Sequence, residues 1–140
     1  MKFNIPQEQE HVFKSVAYMI ERKLLNMQMT LIAHRYPLRT VCIEYNEILS
    51  EEKLAKIESG INSLYDLLVA FCEDYGVQKM NADFQKELQV KADFLWEDIS
   101  GATTKSMRGY GKLQEVILSD YEEKVRAMTE ASNKLIQLCN

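Results

Sequence analysis

The sequence predicts an all-α fold: an antiparallel bundle of four long helices plus one short helix, as a single domain over residues 1–140. Three observations predict it. Apolar residues recur at spacings of three and four along most of the chain. Glycine and proline are scarce, 5 and 2 in 140 residues, too few for the turns of an all-β protein. The composition, 46% hydrophobic and 27% charged, is that of an ordinary globular chain. A chain of this length buries roughly 70% of its unfolded surface and folds without a staple.

The first helix is expected from about Pro6 to His34. Val12, Val16, Met19, Met27 and Leu31 mark its inner stripe, joined by Phe13, Ala17, Ile20 and Leu24. Glu8 and Glu10 suit its first turns, where the helix dipole favours carboxylates. Pro37 ends it and pushes Tyr36 out of the α region.

Residues 38–49 fit two periods. Leu38, Val41, Cys42, Tyr45, Ile48 and Leu49 follow a helix, whereas Val41, Ile43 and Tyr45 alternate as a strand does. A short helix is the expectation, because a lone strand leaves its backbone groups unpaired.

The next helix is the clearest. Leu54, Ile57, Ile61, Leu64, Leu68, Phe71 and Tyr75 form a continuous a/d seam. Ser50 is its N-cap, Leu49 and Leu54 its staple, and Gly76 its stop. Gly60, inside it, costs about 1 kcal/mol relative to Ala and marks a kink or a close neighbour.

A third long helix is expected to begin at an Asn81 N-cap, with Phe84, Leu88, Ala92, Leu95, Trp96 and Ile99 on one face. The fourth runs from about Lys112 to Leu138. Its expected inner positions are Leu113, Val116, Ile117, Tyr121, Val125, Met128, Leu135 and Leu138. Between them, residues 100–111 hold three glycines yet partly keep the helical phase. Short links place successive amphipathic helices side by side, so their stripes bury one another.

The charge is unevenly spread and argues against a chain that wraps nucleic acid. Residues 1–50 carry 6 basic and 5 acidic groups, residues 51–100 carry 5 and 11, and residues 101–140 carry 6 and 5. An acidic middle does not suit nucleic acid, which needs clustered Lys and Arg. No apolar run approaches the ~18 residues that span a bilayer, so no membrane association is expected. Residues 1–8 contain no apolar leader. Cys42, Cys72 and Cys139 are an odd number at wide spacing, which reads as reduced thiols. A cytoplasmic protein is the expectation.

Catalytic chemistry finds few residues. Glu8 and His11 form an E-x-x-H, half of a di-iron carboxylate motif, but the second half is missing because His34 is the only other histidine. Cys42 and Cys72 lie on apolar stripes, where thiols are packing. Asp93 and Glu97 share a flat polar side of the third helix rather than a cleft. The run from Gly101 to Ser106 lacks the second glycine and the preceding strand of a phosphate loop. No catalytic residue, metal or cofactor is expected.

Two features rise above background. Residues 101–112 carry Lys105, Arg108 and Lys112 with no acid between Ile99 and Gln114, an anion-binding candidate. The first helix carries a second apolar stripe, Tyr18, Leu25, Met29 and Ile32, more than 90° from the first. The 38–49 segment could cover Met29 and Ile32, and a second copy could cover all four. The expectation is a non-enzymatic protein-interaction module that associates as a homodimer or with another protein. The alternatives are a small regulator that binds a phosphorylated ligand or nucleic acid through the basic connection, and a bundle enzyme with a metal or a buried pocket.

Overall fold

A computed structural model describes residues 2–36, 38–45, 49–107, 111 and 113–140. The protein is all-α. Its helices are α1 (Gln7–Arg35), α2 (Glu51–Tyr75), α3 (Phe84–Ser100), the single turn α4 (Thr104–Met107) and α5 (Glu115–Cys139). No strand occurs among the described residues. The chain forms two units, Met1–Met80 and Asn81–Asn140.

In the first unit α1 and α2 make an antiparallel hairpin. Arg35 near the end of α1 pairs with Glu58 near the start of α2 at 2.6 Å. At the opposite end Phe13 meets Tyr75 with ring centroids 4.8 Å apart. Local chemistry sets the limits of α2. Ser50 Oγ accepts the Lys53 N–H at 3.2 Å, satisfying one orphan donor of the first turn. Gly76 takes a left-handed conformation, φ 69° and ψ 30°, which a side chain disfavours. The Val77 N–H then closes back on the Cys72 carbonyl at 2.9 Å.

Ala17 and Leu24 of α1 are buried against Ile61 and Leu68 of α2, with Ile20, Leu31, Ile57, Tyr65 and Phe71 packed around them. Leu54 is also buried. The α1 core stripe is therefore narrower than its periodicity suggests: Val12, Met19 and Met27 are exposed. On α2 Leu64 is exposed, and its neighbour Tyr65 takes the inward place.

Gly60 has nothing within 4 Å of where a Cβ would stand, so no close neighbour explains it. Gly60→Ala is expected to raise stability by about 0.5–1 kcal/mol, because alanine costs less entropy in a helix interior. A urea midpoint unchanged or lowered would contradict this.

The short helix lies elsewhere than expected. Residues 38–45 are neither helix nor strand and are exposed throughout. Ile48 lies outside the described residues, as does Pro37. The β-branched residues Thr40, Val41 and Ile43 lose side-chain freedom in a helix, and the stretch has no apolar surface against it to offset that loss. The short helix is α4 instead, within the connection whose helical phase the sequence partly keeps.

The second unit is also an antiparallel hairpin. Gln85 at the start of α3 donates to the Cys139 carbonyl at the end of α5, 3.1 Å. Tyr121 donates to the Ala102 carbonyl at 2.8 Å. Asp83, not Asn81, caps α3: its Oδ1 accepts the Lys86 N–H at 3.2 Å. The inward face of α5 is Leu118, Tyr121, Val125, Thr129, Ser132 and Ile136. Only Tyr121 and Val125 of the expected stripe belong to it. Leu113, Val116, Ile117, Met128, Leu135 and Leu138 are exposed.

Candidate interaction surface

The second stripe of α1 resolves into two parts. Tyr18 is half-buried, packs on the core of its own unit, and donates its hydroxyl to the Gln78 carbonyl at 2.9 Å. It is held by the hairpin and contributes little free surface. Leu25, Met29 and Ile32 remain 46%, 62% and 57% exposed. The described part of the 38–49 segment leaves them open.

The stripe borders a shallow groove of about 350 Å³ lined by Gln28, Leu31, Ile32, Arg35, Glu58, Ile61 and Asn62. Its rim is the Arg35–Glu58 ion pair. Tyr65 secures the groove's position by donating to Gln28 Oε1 at 3.2 Å. Burial, and secondarily the Glu21 carboxylate, raise the Tyr65 pKa above its ordinary 10.0. That hydroxyl thus stays protonated and keeps donating. Val69 of α2 is also exposed and lies on the side of the hairpin that Leu25 faces. Sequence reading missed it, because it stands outside the α2 seam.

A second hollow, of about 310 Å³, lies where the N-terminal segment meets the end of α2, lined in part by Glu10, Phe13, Lys14 and Tyr75. Phe3 stacks on Tyr75 at 5.7 Å, and the Lys2 and Phe3 amides donate to the Asp74 carbonyl at 3.1 and 2.9 Å. These contacts fasten the leading segment to the hairpin. The hollow gathers no set of catalytic groups.

Of the basic connection, Lys105 is exposed on α4. Arg108 and Lys112 lie outside the described residues. The fold also brings an acid that the linear sequence keeps at a distance: Thr104 donates to Glu122 Oε1 at 3.0 Å.

Among the described residues no three His, Cys, Asp or Glu side chains gather as a metal site would require. Cys42 is exposed, Cys72 and Cys139 are half-buried, and all three are free. Burial, followed by the Glu21 charge, raises the Cys72 thiol above its ordinary 9.0, the opposite of what an activated nucleophile needs. No described helix is long and apolar enough to cross a membrane.

Comparison with protein-family models, curated proteins and solved structures finds no match.

Proposed function

We propose that this chain is a non-enzymatic protein-interaction module of the cytosol that associates with its own copies through α1. The observation that carries the reading is the open stripe of Leu25, Met29 and Ile32, on the flank of a helix whose core stripe is already occupied by its own hairpin. The three amount to roughly 300 Å² of apolar surface, within the range of the largest patch a monomer normally leaves bare. A two-fold contact between copies matches the stripe to itself. Three unpaired cysteines suit a reducing compartment.

Leu25→Glu combined with Met29→Glu is expected to shift the protein to a smaller species in sedimentation at several concentrations, with its helical circular dichroism intact. The positions are exposed, so the variant should fold. A wild type that stays monomeric at high micromolar concentration would remove the self-association reading. An assembly untouched by the two substitutions would keep the reading and discard this stripe.

A further inference from the structure

The unit Asn81–Asn140 has a thin core. Among the described residues its fully buried positions are Ala92 and Ser132, neither with a large side chain, while Ile99, Leu118, Tyr121, Val125 and Ile136 are half-buried. The first unit, by contrast, buries Leu24, Leu54, Ile61 and Leu68. Two packed helices that bury only small groups completely, and leave their larger inward side chains half in water, gain less from the hydrophobic effect, so a partner that covers them adds stability.

The apolar residues it could cover with are present and share one side. On α3, Phe84, Leu88 and Leu95 are exposed; on α5, Ile117, Met128 and Leu135 are exposed. At 100° per residue, each trio lies on the same-handed flank of the stripe that faces the other helix. Antiparallel helices bring same-handed flanks to the same side of a hairpin, so the two trios form a single face. The opposite flanks are polar: Lys86, Asp93 and Glu97 on α3, and Glu122, Arg126 and Asn133 on α5. Lys124, in line between Ile117 and Met128, is already paired with Asp120 at 2.6 Å. Lys91 holds the matching place on α3, between Leu88 and Leu95, and is exposed; at the edge of the face its long side chain carries the ammonium to water while its stem covers apolar surface.

We propose that this α3–α5 face docks the same face of a second copy, giving a four-helix contact distinct from the α1 stripe. The area argues for it. These six large side chains, exposed by 43% to 77%, present roughly 600 Å² per copy, at the top of what monomers leave open. Two such faces bury about 1,200 Å², the lower bound of specific interfaces. A two-fold pairing supplies each face with a partner of equal length and equal apolar character. The inference rests on the reading that the chain self-associates, and adds a second surface to it.

The test uses the full chain carrying Leu25→Glu and Met29→Glu, in which the α1 contact is removed. Sedimentation of that variant is expected to show a remaining dimer. Adding Leu95→Glu and Leu135→Glu should raise its dissociation constant by about a hundredfold or more, since each buried charge opposes docking. Should the fourfold variant lose helix, Leu95→Gln alone in the same background is expected to weaken the dimer by about tenfold without unfolding it. An α1 variant that is already monomeric, beside an associating wild type, would overturn this proposal and leave the self-association reading standing. A wild type monomeric at every concentration would overturn both. A dimer unmoved by the α3–α5 substitutions would place the contact on another surface and overturn the proposal alone.

Discussion

Leu68→Ala is expected to lower stability by about 2–5 kcal/mol, and Leu64→Ala, four residues away on the same predicted seam, by under about 1 kcal/mol. Leu68 is 8% exposed and belongs to the cluster with Ala17, Leu24 and Ile61. Removing its isobutyl group opens a cavity between two helices held on both sides by other core residues, so the walls can collapse only partly. Leu64 is 49% exposed. Its truncation removes surface already half in water and leaves no enclosed void. Urea titration of both variants decides the matter, provided the slope is unchanged. Equal losses would mean that α2 buries both positions in solution, and that its apolar seam is covered on a wider arc than the hairpin alone covers.

That pair of residues also shows what the sequence makes legible. Helix existence is readable because it depends on period and on local caps. The limits of α2 were readable to the residue, since Ser50 and Gly76 act through bonds within one turn. Asn81 and Asp83 are both good caps, and nothing local ranks them; the observed choice is Asp83. The segment after Pro37 was misread because its apolar residues satisfy two periods and cannot say whether any surface exists to receive them. Facing is harder still. Counting apolar residues selects the most apolar stripe of α5, whereas the hairpin buries the neighbouring one, which contains Thr129 and Ser132. Contact with α3 requires small and short side chains where two backbones approach, and a hydropathy pattern does not record closeness. The stripe of Leu25, Met29 and Ile32 was legible as surplus apolar surface. That Tyr18 leaves it for the Gln78 carbonyl was not, because that bond joins residues far apart in the chain.

Ser132 offers the sharpest check on the second unit. Ser132→Ala is expected to raise stability by about 1–3 kcal/mol. Ser132 is 5% exposed, and its Oγ is buried without a hydrogen-bond partner. The Gln85–Cys139 and Tyr121–Ala102 bonds set a register that places Ala92 opposite Ser132. Two small residues therefore face each other between α3 and α5, both buried. An unpaired hydroxyl there forfeits its bonds to water on folding and receives nothing in return. Alanine removes that loss, adds about 0.5 kcal/mol of helix propensity and opens a gap smaller than a methyl group. Ser132→Leu provides the opposite control: four side-chain heavy atoms in place of two against Ala92 should force the helices apart and cost about 1–3 kcal/mol. Thermal unfolding of the three proteins at one concentration, fixed because association shifts the midpoint, measures both changes. An alanine variant no more stable than the wild type would show that the hydroxyl finds a partner in solution, such as a bridging water, and that the α3–α5 contact is less dry than its geometry indicates.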